Sequence, residues 1–93
     1  MTEYKAVHVT IIGKVQGVFF RAETRRAAME RHLKGYVKNM PDGSVQALFQ
    51  GKQEKIDDML VWCEKGSPLS SVDRVIPQSV TVQSDLKQFD VLY

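Results

Sequence analysis

Residues 13–21 read Gly-Lys-Val-Gln-Gly-Val-Phe-Phe-Arg. The chemistry this stretch suits is the holding of a small anion. Gly13 and Gly17 let a backbone turn tightly and reach conformations closed to other residues. Successive N–H groups in such a turn form an anion-binding nest. The residues that follow read as a helix, whose N-terminus adds free N–H groups and the positive end of a dipole. Arg21 stands in that first turn, where the dipole disfavours a cation. A residue set against its local preference points to function, and a guanidinium fork matches two phosphate oxygens. Phe19 and Phe20 are expected to wedge the loop onto the core, with Val15 and Val18 packing its sides. The glycine spacing is neither the GxxxxGK[ST] of a P-loop nor the GxGxxG of a dinucleotide site. The bland alternative is a tight strand-to-helix turn with Arg21 in solvent.

The other residues able to do chemistry are scattered. His8 falls in the middle of a strand and His32 at the far end of the first helix, so neither is expected to be catalytic. Cys63 is the single cysteine, which excludes an internal disulfide and cannot build a metal cluster alone. It sits beside Trp62 on an apolar helix stripe, the setting of a buried small hydrophobe. Asp57-Asp58 resembles a metal pair but lies on a solvent-facing helix, and no metal site is expected. Arg25, Arg26 and Arg31 are expected to form a solvated face that raises the local potential. Lys38 is expected on the far side of a sheet from the loop.

The elements that position these residues follow from pattern. The chain has 93 residues, 43% hydrophobic and 26% charged, a mixture suited to one globular domain spanning residues 1–93. Residues 5–12 alternate, with Val7, Val9 and Ile11 on one face and Ala6, His8 and Thr10 on the other: a strand against a core. Residues 21–34 are strong helix formers, and Gly35 is the natural stop. Two stripes are possible on that helix: Ala22, Met29 and Leu33, or Phe20, Thr24, Ala27 and Ala28. The second is favoured because small residues let a helix sit close to a sheet. Residues 36–40 and 44–50 are strands around the turn Pro41-Asp42-Gly43. Residues 53–65 form a second helix with Ile56, Met59, Leu60 and Cys63 on one stripe. Residues 72–76, 79–84 and 89–93 are further strand candidates.

That order is the α+β, ferredoxin-like split βαβ plan, with an extra short strand, an antiparallel sheet and both helices on one face. In it the first and second strands run the same way and flank the third. Their C-terminal ends share one edge of the domain, about 10 Å apart. The loop leaves the first strand at that edge, and Asn39 lies near the end of the second.

Longer motifs resemble a known family. Gly13-x-Val15-Gln16-Gly17-Val18-x-Phe20-Arg21 resembles the first signature of the acylphosphatases, and Gly35-Tyr36-Val37-Lys38-Asn39 with Gly43-x-Val45 and Gly51 resembles the second. Ser67-Pro68, Val72, Val75 and the closing Phe89-x-Val91-x-Tyr93 extend the resemblance over essentially the whole chain. The resemblance implies hydrolysis of carboxyl-phosphate mixed anhydrides to a carboxylate and inorganic phosphate, without metal or organic cofactor. It implies that Arg21 and the N–H groups of residues 16–20 hold the phosphoryl group, so that substrate binding runs through Val15, Gln16, Gly17, Val18, Phe19 and Phe20. Asn39 would orient the attacking water. Inorganic phosphate or sulfate would fit the same cradle. No acyl pocket is evident in the residues, so broad tolerance of the acyl group is expected.

Composition weighs on the alternatives. Residues 1–38 carry a net +5 and residues 39–93 a net −3, which suits an anionic partner for the loop half or merely an arginine-rich helix surface. Nucleic-acid binding is disfavoured, because the third strand has one Phe and no aromatic cluster for base stacking. An accessory domain of a carbamoyl-transferring maturation protein is a third reading, but no zinc motif accompanies this chain. No apolar run approaches the ~18 residues of a membrane span. The N-terminus lacks a basic region and a small-residue cleavage site. The expectation is therefore a free-standing, cytoplasmic, monomeric hydrolase.

Overall fold

A computed structural model describes residues 3–93. The elements run β1 (Tyr4–Lys14), α1 (Phe20–Glu30), β2 (Lys34–Asn39), β3 (Val45–Lys52), α2 (Gln53–Lys65), β4 (Ser71–Val80) and β5 (Phe89–Leu92). One sheet has the order β4-β1-β3-β2-β5. The β4-β1-β3-β2 portion is antiparallel, as the split βαβ plan requires, and β5 joins β2 in parallel. The extra strand thus makes the sheet mixed. Both helices supply the layer above it.

The core lies between that layer and the sheet. Val9 and Ile11 of β1 are fully buried, as are Val37, Val45, Ala47 and Phe49. From α1, Phe20, Thr24, Ala27 and Ala28 are buried, so the small-residue stripe faces the sheet. From α2, Ile56, Met59 and Cys63 are buried, and Leu60 packs at the margin. Each large apolar side chain buried this way contributes roughly 1.5–3 kcal/mol.

Three local expectations need correction. First, α1 stops at Glu30 rather than running to Lys34. The stop is His32, at φ 58. Its N–H donates to the Met29 carbonyl at 3.0 Å, and the Leu33 N–H donates to the Ala28 carbonyl at 2.9 Å, the two bonds of a Schellman end. Gly35 lies inside β2, where a Cβ would run into the Leu48 carbonyl. Second, the segments 72–76 and 79–84 are one strand as far as Val80. Pro77 is tolerated because β4 is an edge strand. Pairing ends at Ala6↔Val80, and Gln83 instead exchanges two main-chain bonds with the Gln50 side-chain amide, at 2.7 and 2.8 Å. Third, Gly13 belongs to β1, at an irregularity in the pairing with β4.

Candidate functional site

The loop between β1 and α1 spans residues 15–19. Val15 and Val18 are buried at its base. Gly17, at φ 71, has open space around it, so glycine answers a backbone requirement there and not a steric one. Phe20 is buried and packs on Trp62, with ring centroids 5.8 Å apart. Phe19 departs from expectation: it is 77% exposed. It does not wedge the loop inward but stands at φ 59 as the residue before the first helical turn, with no side-chain capping bond.

Two side chains pin the loop. Gln16 Nε2 donates to the Met40 carbonyl at 2.8 Å and to the Ser44 carbonyl at 2.9 Å, joining the loop to the β2–β3 turn. Ser67 Oγ donates to the Val18 carbonyl at 3.3 Å, from a buried position after α2. The turn itself is set by Asp42, whose carboxylate accepts from the Ser44 hydroxyl and N–H. Those two bonds lower its pKa below the ordinary aspartate value. Meanwhile, the N–H groups of residues 16–20 find no acceptor among the described residues. Val18 and Phe20 are buried and Gln16 half-buried, while Gly17 and Phe19 are exposed; successive free N–H groups of this kind suit an anion.

Beside the loop is a cavity of about 330 Å³. Val15, Gly17, Phe19, Phe20, Arg21, Ala22, Asn39, Val91 and Tyr93 line it. Of the sequence-derived site residues, Gln16 and Val18 are not in its wall; their side chains brace the loop instead. Asn39 comes to the cavity through the sheet: it pairs with Val45, which pairs with Ile11 of β1. Val37, two residues earlier on the same strand face, is fully buried on the helix side. The Asn39 Oδ1 atom is buried and has no hydrogen-bond partner. Such an oxygen costs about 1–3 kcal/mol until a donor reaches it.

Arg21 is held from the far edge of the sheet. Its Nη1 donates to the Leu92 carbonyl at 2.9 Å, and its guanidinium lies 4.7 Å from the centre of the Tyr93 ring. The β2–β5 register sets Leu92 beside Lys38, so Tyr93 follows alongside Asn39. Val91, Tyr93 and Ala22 are cavity residues that residue-by-residue reasoning did not single out. The alternating Phe89-x-Val91-x-Tyr93 pattern was the available signal, since period-two spacing puts all three on one face.

The remaining candidates lie elsewhere. His8 pairs with Leu48 and Gln78, and neither it nor His32 lines the cavity. Burial pushes the Cys63 thiol up to about 12, which removes it as a nucleophile. Lys38 lies over Tyr36 on the helix-free face, as expected. Asp57-Asp58 belongs to no cluster of three or more metal-ligating side chains among the described residues. Asp58 instead accepts from Arg31 Nε at 2.8 Å. The expected solvated arginine face holds for Arg25 and Arg26, both exposed, and not for Arg31. Arg31 bridges the helices and donates to the Ala27 carbonyl, and Arg25 donates to the Phe89 carbonyl. Phe49, the aromatic of β3, is buried and stacked on Phe89, with centroids 5.6 Å apart. It is unavailable to a base. No helix among the described residues is long and apolar enough to cross a membrane.

Comparison with known proteins bears on the family and the fold. A family model described as acylphosphatase matches residues 7–91. The acylphosphatase of Syntrophus aciditrophicus is 40% identical over 89 residues, covering 96% of this chain and 93% of the relative. That of Methylococcus capsulatus is 41% identical over 88 residues, covering 95% and 96%. The solved structure of an acylphosphatase from Coxiella burnetii superimposes with a TM-score of 0.92 at 37% identity, covering 96% of this chain and 93% of that one.

Proposed function

The chain belongs to the acylphosphatase family and is an acyl phosphate hydrolase, and on that premise we propose that Arg21 and the loop N–H groups hold the phosphoryl group while Asn39 orients the attacking water. The observation that carries this reading is the meeting, in one cavity, of three loop residues with unpartnered N–H groups (Gly17, Phe19 and Phe20), a braced guanidinium and an amide oxygen lacking a donor.

The chemistry suits these parts. Phosphoryl transfer needs in-line alignment and stabilisation of charge on the equatorial oxygens, with little covalent work for the protein. The loop amides and Arg21 supply the charge stabilisation; one Arg21 N–H is engaged with Leu92 and the others remain for phosphate oxygens. A water donating to Asn39 Oδ1 satisfies that oxygen and is aimed by it. As the water oxygen bonds to phosphorus, the bond to the acyl oxygen breaks. The leaving carboxylate needs no proton near neutral pH, since its acid has a pKa of about 4. A phosphate oxygen takes the water's proton. The products are a carboxylate and inorganic phosphate, and no metal enters the scheme. We place the enzyme in the cytoplasm as a monomer, a single domain over residues 1–93, with inorganic phosphate as a competing occupant of the site.

Hydrolysis of benzoyl phosphate in EDTA tests the assignment, comparing wild type with folded Arg21→Ala and Asn39→Ala. Losses of about two orders of magnitude or more are expected, the scale of one transition-state contact of ~3 kcal/mol. In oxygen-18 water the label should enter phosphate. Folded variants that keep activity within a few-fold of wild type would reassign both residues, and loss of wild-type activity in EDTA would overturn the metal-free scheme.

A further inference from the structure

The cavity is larger than phosphate chemistry requires. A phosphate has five heavy atoms, and at roughly 30 Å³ for each, the share of a water in the liquid, it fills under half of the about 330 Å³. The rest of the wall includes Phe19, Ala22, Val91 and Tyr93. None of these side chains is charged. Phe19 is 77% exposed and Tyr93 fully exposed.

Phe19 is disfavoured twice over. A large apolar side chain gains little from an exposed position. A left-handed φ is unusual for a bulky residue, and Gly or Asn would serve the turn better. No contact inside the fold offsets either cost, because the ring is outside the core. Tyr93 is comparably open, but its ring lies 4.7 Å from the Arg21 guanidinium, in the cavity wall. Two aromatic side chains at the mouth of a phosphate cradle are suited to the part of a substrate that leaves the phosphate behind.

We propose that Phe19 and Tyr93 form a subsite for the acyl group, and that the Phe19 side chain gives the enzyme a preference for flat aromatic acyl phosphates over small aliphatic ones. This rests on the proposed function and adds a specificity determinant to it. The preference is graded rather than strict, because both rings remain open to solvent. An added ring contact of this kind corresponds to about a tenfold change in kcat/KM. It should act mainly through KM, since the acyl group is bound alike in ground and transition states.

The experiment measures kcat and KM for benzoyl phosphate and acetyl phosphate in wild type, Phe19→Ala and Phe19→Leu, with the inhibition constant of inorganic phosphate as a reading of the cradle. Wild type should favour benzoyl phosphate. In Phe19→Ala that ratio should fall about tenfold, through a raised KM for benzoyl phosphate, with Phe19→Leu between the two. Equal losses on both substrates, accompanied by weaker phosphate inhibition, would show that Phe19 shapes the loop and would overturn the subsite. An unchanged ratio in both variants would overturn it as well. Folded wild type that hydrolyses neither substrate would instead defeat the functional reading beneath it.

Discussion

The two ends of α1 carry the same backbone anomaly and resolve it differently. Phe19 before the helix and His32 after it both hold a left-handed φ, 59 and 58. At His32 the fold offsets the cost. The Schellman bonds satisfy the last carbonyls, Leu33 is buried beside them, and Arg31 ties the end to Asp58 of α2. At Phe19 nothing comparable exists. The ring is exposed, no side chain caps the helix, and the loop N–H groups have no acceptor among the described residues. One end is a finished piece of structure. The other end would be completed by the phosphoryl group proposed for the loop, the condition expected where strain serves function.

The largest test of this contrast falls on the cavity. Asn39→Ala should lower kcat/KM for benzoyl phosphate by about two orders of magnitude while leaving stability equal or higher, because it removes a buried oxygen that has no partner. A drop in the urea midpoint alongside the activity would mean that Asn39 is a structural residue. Gln16→Ala should be next in size. It removes two hydrogen bonds between the loop and the β2–β3 turn and should cost about 1–3 kcal/mol, read by urea denaturation, with a raised KM as the cradle loosens.

Alkaline pH should act away from the loop. The Cys63 thiol is raised from 9.0 to about 12 chiefly by burial. Above pH 9 the unfolded chain releases this proton and the folded one keeps it. The unfolded state then binds fewer protons, so stability should decline from about pH 9 towards pH 12. Urea midpoints measured across that range should fall, and Cys63→Ala should flatten this component. The smallest effect separates the helix ends directly. Replacing His32 by glycine should stabilise the fold by about 0.5 kcal/mol and leave turnover alone. The same change at Phe19 should relieve similar strain but reduce the benzoyl-to-acetyl ratio.

Much of the site was legible because its parts depend on local chemistry. Gly17 and Arg21 stand out by conflict with their surroundings, and Asn39 follows from strand order once β1 and β2 are known to flank β3. Long-range partners were not legible. Gln16 reaches a turn 24 residues away and Arg21 a carbonyl 71 residues away, and no periodicity encodes such pairings. The early stop of α1 was missed because a non-glycine residue takes the left-handed position, while Gly35 is required for close approach to β3. Arg31 was misjudged because an arginine reads as solvated until a neighbouring helix supplies its aspartate.

The sequence by itself determined the element order, the small-residue face of α1, the turn at Pro41-Asp42-Gly43 and the loop able to receive an anion. These depend on periods of two and 3.6 residues, on allowed φ values and on short-range hydrogen bonding. Tertiary structure alone decided which groups surround that loop. The parallel docking of β5 beside β2 carries Leu92 and Tyr93 to Arg21, and Phe19 remains outside the core because Phe20 fills it. Both outcomes depend on packing between distant segments, where the energy belongs to the pair and to neither residue alone.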